Sequence, residues 1–341
     1  MISATDFEKL PIRVGLGQFN IPTATGELLL FIKQCGVDDV QLNRVEWSRQ
    51  DLWEYEELAS LRKMIEDYEL RLMALENVPY SFYDKIMLGL DGRELQLENM
   101  CQTVRNMGQA GIPILGYHFM PTEVWRTSRT TPIRGGAKTT AFNLDVAISA
   151  KADPLPKRGN FISEREITEE EMWENYDWYM ERILPVCEES NVRMALHPDD
   201  PPVNYPLGGV ARIFRNFENF DRAMTKFNSP MHGLNFCHGC WSEMRAGAGV
   251  IDAIRHFGVQ GKIFYVHLRD VQGRIDDFTE CWIGEGNSDI IEVIRTLKDS
   301  GFRGFMIPDH VPVMNDDGWY KQRGRAYTVG YMKAMLDVLA S

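Results

Sequence analysis

Eight short β-rich runs alternate with helical patterns along nearly the whole chain, and this alternation limits the possible folds more than any other feature. The runs are RVGLGQ (13–18), DDVQLN (38–43), LRLMALE (70–76), IPILGYHF (112–119), NVRMALH (191–197), MHGLNFC (231–237), KIFYVHL (262–268) and GFMIPDH (304–310). Between them apolar residues recur at helical spacing, as at Leu28, Leu29, Phe31 and Ile32, which marks amphipathic helices. One helix opens with Thr168 three residues before Glu171, the pattern of a capping box. Another, IIEVIRTLKDSG, is closed by Gly301. Strands alternating with helices build a parallel sheet, and eight of them close into a (β/α)8 TIM barrel. The alternative is an open doubly wound sheet, which calls for a glycine-rich phosphate loop after its first strand. GLGQFN lacks the third glycine and does not lead directly into a helix. The expectation is therefore an α/β chain with a single TIM-barrel domain over residues 1–341, a length such barrels reach as one unit.

A long segment after the fourth strand, about residues 120–165, is rich in Thr, Arg, Gly and Pro and reads as an irregular insertion. A loop this long inside a barrel is functional or disordered. It would hang over the C-terminal mouth, where Arg126, Arg129, Arg134 and Lys138 gather positive charge. Two readings stand: a lid that contacts an anionic substrate, and a solvated insert with no role.

That local basicity contrasts with a net charge of -12, which lacks the basic footprint of a nucleic-acid binder. No apolar run approaches the roughly 18 residues of a membrane span, and MISATDFEKLP has neither the basic start nor the apolar core of a signal peptide. A small molecule, not a nucleic acid or a membrane, is the expected partner. A cytoplasmic location and a homo-oligomer are expected with it. The 6 cysteines are scattered and read as reduced thiols, one or two of them ligands.

The chemistry collects at strand ends. The fifth run ends at His197, the sixth at Cys237, the seventh carries His267, and the eighth ends in Asp309 and His310. A barrel brings the C-terminal ends of its strands to one mouth. Two imidazoles, a thiolate and a carboxylate there form a transition-metal site with room for water or substrate. Each residue alone reads more simply as structural. Four consecutive strands ending in ligand-type side chains are harder to explain that way. Asp199 and Asp200 read as acceptors that orient His197 or shape the turn, and His232, His238 and His256 as structural or surface residues. Zinc is favoured by affinity, whereas the carboxylate and open positions also admit Mn(II) or Fe(II).

With these ligands in place, the sequence resembles the mannonate dehydratase family of xylose-isomerase-like TIM barrels. The matching motifs stand here as GVDDVQLN, ENVP, QTVRNMGQAGIPILGYHFMP, ALHPDDPP, GLNFCHG, YVHLRDV, FTECW and PDH. The resemblance implies that His197, Cys237, His267 and Asp309 hold Mn2+, with Fe2+ as an alternative, and that the reaction converts D-mannonate to 2-keto-3-deoxy-D-gluconate. Such a dehydration removes a proton α to a carboxylate and expels the neighbouring hydroxyl, so it needs an acid and a base. The catalytic candidates are His310, His118 and Tyr320; the substrate-binding candidates are Asn77, Arg126, Arg129, Arg269 and Arg323. The sequence departs from the family near its C-terminus, where Arg323 stands in place of a tyrosine and Tyr320 or Tyr327 would substitute only with some displacement. A metal-dependent isomerase or epimerase, which polarises a sugar without expelling water, and a non-catalytic barrel kept for binding are the competing expectations.

Overall fold

The computed structural model of the chain describes residues 10–47, 51–149 and 163–340; the end of the expected insertion, 150–162, lies outside them. Eight parallel strands close the barrel: β1 (Arg13–Phe19), β2 (Asp39–Asn43), β3 (Arg71–Glu76), β4 (Ile114–Tyr117), β7 (Arg193–Leu196), β8 (His232–Cys237), β9 (Ile263–Leu268) and β12 (Phe305–Pro308). Seven fall inside the runs anticipated from sequence, and β1 extends its run by one residue, to Phe19. β8 and β9 are buried at all positions, as expected of parallel strands covered by helices outside and by side chains within. The helix Glu169–Ser190 begins with the anticipated capping box: Glu171 N–H donates to Thr168 Oγ1 at 3.2 Å and Thr168 N–H to Glu171 Oε2 at 2.9 Å.

The barrel interior is filled by a cluster of its own that includes Ala74, Ala195, Ile307, Tyr265 and Phe305. The rings of Tyr265 and Phe305 stack at 5.2 Å. Small residues make this possible. A Cβ on Gly116 would lie 2.3 Å from Tyr265 Oη and 2.8 Å from Glu76 Cγ, so glycine there leaves the space in which those two side chains meet below the mouth.

The insertion is not irregular. Its described part forms β5 (Ser128–Pro132) and β6 (Lys138–Asn143), which join a hairpin of β10 (Asp270–Arg274) and β11 (Asp277–Cys281) in an antiparallel sheet of order β10-β11-β6-β5. This corrects the sequence expectation. Threonine-rich SRTTP and KTTAFN are good strand formers, but their polar composition, exposed along β5 and half-buried along β6, hides the period-2 signal. The accessory sheet packs on its own apolar cluster, with Trp125, Phe142, Val203, Val271 and Phe278. No described helix is long and apolar enough to cross a membrane.

Candidate metal centre

The mouth gathers His197, one residue beyond β7, Cys237 at the end of β8, and His267 near the end of β9. Their ligand atoms all lie within 4.8 Å of one another. Asp309, just after β12, stands beside them, with Oδ2 3.8 Å from Cys237 Sγ and Oδ1 3.7 Å from His267 Nδ1. All four are buried.

Hydrogen bonds on the far side of each ring fix which nitrogen faces the cluster. His197 Nδ1 lies 2.7 Å from the Pro198 carbonyl, an acceptor only, so Nδ1 carries the proton and Nε2 keeps its lone pair. His267 Nε2 lies 2.9 Å from Glu76 Oε2, which by the same logic leaves Nδ1 deprotonated in the neutral ring. That Nδ1 is buried without a hydrogen-bond partner. A buried nitrogen without a partner is costly, and here it is aimed at a carboxylate and a thiol. Burial pushes the Cys237 thiol up, but the hydrogen bond from Cys240 and the charges of Arg269 and His197 outweigh it and hold the thiol well below its usual value. The set is an acidified thiol, a carboxyl group and two oriented imidazoles, which is the donor chemistry of a divalent transition-metal site.

Glu76 was not anticipated. Its Oε2 also accepts from Gln41 Nε2 at 3.0 Å and from Tyr265 Oη–H at 3.0 Å. Burial raises its carboxyl, and His267, His197 and the Tyr265 bond more than reverse that, so it is lowered overall. The signal was available: like His197, it is a polar residue at the exit of an apolar run. Asp199 and Asp200 do not orient His197. Asp199 Oδ2 accepts from Phe214 N–H at 2.8 Å, and Asp200 belongs to a second charged cluster.

That second cluster lies alongside the first. Arg126 grips Asp200 with two bonds, Nη1 to Oδ1 at 2.6 Å and Nη2 to Oδ2 at 2.8 Å, and reaches Glu280 Oε1 at 2.9 Å. Arg269 donates to Glu280 at 2.7 Å, Glu243 at 2.8 Å and Asp200 at 3.2 Å. Gly239 makes room for it, since a Cβ there would fall 2.1 Å from Arg269 Nε. Burial raises the Asp200 carboxyl, but Arg126 and Arg269 reverse this and hold it at about 2. For Glu280 burial is outweighed by His310, Arg269 and Arg126, which keep it well below its usual value, whereas burial pushes Glu243 well up. Three carboxyl groups thus share two guanidiniums, with Asp200 and Glu280 held low and Glu243 raised.

This changes the reading of several anticipated residues. Arg126 and Arg269 are buried and their terminal nitrogens are held by carboxylates, which removes those nitrogens from any substrate clamp; Arg269 Nε is without a hydrogen bond, 3.5 Å from Asp309 Oδ2. Arg129 is exposed on β5, and Arg323 is exposed at the start of the helix Gln322–Ala340, its guanidinium on the Asn315 carbonyl. Tyr320 is buried with its hydroxyl on the Gly17 carbonyl at 2.8 Å and its ring edge-on to Phe19 and Phe31, so it packs the barrel wall rather than reaching the donors. His118 does stand at the mouth, its Nδ1 3.3 Å from Met120 N and 3.4 Å from Tyr83 Oη. Burial, then Arg44 and His197, push its imidazole well down, which keeps it neutral. Asn77 follows Glu76 in the left-handed region, with φ 58. Its Nδ2 donates to Asn43 Oδ1 at 3.3 Å while its Oδ1 is buried without a partner. His310 is a third exposed, with Nδ1 2.7 Å from Glu280 Oε1 and Nε2 3.8 Å from Asp309 Oδ1. Lys321 was missed; its Nζ has the neutral Val311 carbonyl as partner at 3.0 Å. Burial lowers its ammonium below the usual lysine value, and Glu280 and Asp309 only partly offset this.

Known proteins place this arrangement. The family profile described as D-mannonate dehydratase (UxuA) matches residues 25–341. Mannonate dehydratase of Thermotoga maritima is 30% identical over 286 residues, covering 76% of this chain and 78% of that one. The crystal structure of mannonate dehydratase from Streptococcus suis serotype2 superposes with a TM-score of 0.83 at 26% identity, over 96% of this chain and 95% of that chain. A structure of L-ribulose 3-epimerase shares the fold, with a TM-score of 0.60 at 15% identity over 96% of each chain.

Proposed function

The chain belongs to the mannonate dehydratase family and is a sugar-acid dehydratase, a hydro-lyase; on that premise we propose that it converts D-mannonate, or a closely related aldonate, to 2-keto-3-deoxy-D-gluconate and water with Mn(II) or Fe(II) held by His197, Cys237, His267 and Asp309. The observation that carries the reading is the buried, unpartnered His267 Nδ1, set among donor atoms within 4.8 Å of one another. A divalent ion bound there would draw charge from a carboxylate or hydroxyl oxygen of the substrate, lowering the cost of the anion that develops as the α-proton leaves.

The chain's own residues supply the rest. His310, next to Asp309 and a third exposed, is the group that exchanges a proton with substrate. Neutral His118 is the second candidate for proton transfer. Asn77 offers its unpartnered Oδ1 to a substrate hydroxyl. Lys321, rather than Arg126 and Arg269 with their terminal nitrogens on carboxylates, is the cation available to the substrate carboxylate. Tyr320 has no part in the chemistry.

The test is incubation of Mn(II)-loaded protein with a panel of aldonic acids, following 2-keto-3-deoxy product. Turnover of D-mannonate or a stereoisomer with loss of water is the expected result. An isomer formed without loss of water, or no product from any aldonate, would contradict the reading.

A further inference from the structure

The accessory sheet is not part of the barrel, yet one of its side chains reaches into the mouth. Along β11, Phe278 and Glu280 are two residues apart and buried, so they share the inward face of the strand. Phe278 lies under the Arg126 guanidinium at 5.1 Å. Glu280 extends to His310, where Oε1 is 2.7 Å from Nδ1, and the same oxygen accepts from Arg269 Nη1 at 2.7 Å and Arg126 Nη2 at 2.9 Å. Arg269 Nη1 is also 2.9 Å from His310 Nδ1, so two descriptions of the ring compete.

The chemistry of the groups decides between them. An ionised carboxylate only accepts, and a guanidinium only donates. If Arg269 donated to Nδ1, that nitrogen would hold a lone pair facing a carboxylate oxygen at 2.7 Å, a repulsive contact. If Nδ1 carries the proton, it donates to Glu280 at the distance of a charge-assisted bond, and Arg269 shares the same oxygen. Nε2 is then the nitrogen left for exchange, on the side of Asp309, 3.8 Å from its Oδ1.

We propose that Glu280 is the positioning residue of His310: carried in by the accessory sheet and locked by Arg126 and Arg269, it accepts the proton on Nδ1, fixes the ring, and leaves Nε2 as the nitrogen that meets the substrate. The sheet thereby acquires a role beyond covering the mouth. Arg126 comes from the insertion just before β5 and Glu280 from the hairpin after β9, so assembly of the two halves sets the orientation of the ring. This rests on the reading of His310 as a proton-transfer group.

The test is nitrogen-15 NMR of protein labelled at histidine and loaded with diamagnetic Zn(II). The chain has 7 histidines, and the His310 signals are those lost in His310→Asn. At alkaline pH, where the ring is neutral and its tautomer is defined, the wild type is expected to show Nδ1 protonated and Nε2 not. In Glu280→Gln the two tautomers should mix, metal content should stay at the wild-type level, and kcat should fall roughly 10- to 100-fold with KM within about 2-fold. Pairing Glu280→Gln with Arg126→Met restores the balance of buried charge and keeps the experiment usable if the single variant folds poorly. A proton on Nε2 in the wild type at that pH would overturn the proposal, as would a Glu280→Gln protein with unchanged tautomer and kcat. If His310→Asn turned over like the wild type, the proton-transfer reading would fall, while the tautomer in the wild type would still decide whether Glu280 holds the ring.

Discussion

Two groups of potential metal ligands stand at the same mouth, and they are built from the same kinds of residue. His197, Cys237 and His267 form one; Asp200, Cys240 and Glu243 form the other. Proximity does not separate them, but partners do. In the first, His267 Nδ1 is buried without a hydrogen bond, and the protons on both imidazoles are turned away from the cluster. In the second, Arg269 occupies the centre, donating to Asp200, to Glu243 and to Cys240 Sγ at 3.2 Å. Glu243 Oε2 is also left without a hydrogen bond, so an orphan atom alone does not mark a metal site; what sets the second group apart is the guanidinium already bonded to each of its ligand residues. The second group is a cation site already filled, by guanidinium.

The largest effect that would separate the two is on metal content. His197→Ala is expected to purify with background metal by elemental analysis and with turnover lost, whereas Asp200→Asn should retain the wild-type complement. Equal loss in both would merge the two clusters into one site. Next in size is stability. Arg126→Ala leaves Asp200 and Glu280 short of a buried partner, and breaking such a pair costs about 3–5 kcal/mol. Urea unfolding should register that loss while the bound metal stays, and a variant as stable as the wild type would show that the second cluster does not hold the accessory sheet down.

Glu76 sharpens the comparison from the metal side, since it touches His267 but has no place among the donors. Glu76→Gln should weaken metal affinity roughly 10- to 100-fold by releasing the ring, read by competition with a chelator. Unchanged affinity would mean that packing alone orients His267. The smallest effect is expected at Arg129, which shares the insertion with Arg126 but is exposed on β5. Arg129→Ala should alter stability by less than about 0.5 kcal/mol and leave KM where it was. A rise in KM would restore the reading of the insertion as a lid that grips substrate.

The same contrast marks what the sequence made legible. The barrel strands were visible because each is a short apolar run, and the donors because each sits where such a run ends. That rule needs only local pattern and the geometry of a barrel. Glu76 obeys it too and was passed over for want of a ligand-like neighbour in the sequence. The second cluster obeys no local rule. Arg126 meets Asp200 across 74 positions and Glu280 across 154, so its charge was legible and its partners were not. A free arginine and a neutralised one look the same in a sequence, which is why Arg126 and Arg269 were assigned to substrate. The accessory sheet escaped for a related reason: β6 pairs with β11 from a distant hairpin, and a polar threonine-rich strand shows its register only once its partner is known. Tyr320 was placed by its nearness to a family tyrosine position, while its hydroxyl is satisfied by Gly17.

The most direct test of the central claim uses the one atom type that only one cluster should offer to an ion. Cobalt(II) bound through a thiolate gives an intense near-ultraviolet charge-transfer absorption. The account predicts one Co(II) per chain with that band, absent from Cys237→Ala and retained in Cys240→Ala. A band that survived in Cys237→Ala, or stoichiometric Co(II) without it in the wild type, would contradict a metal centre built on Cys237.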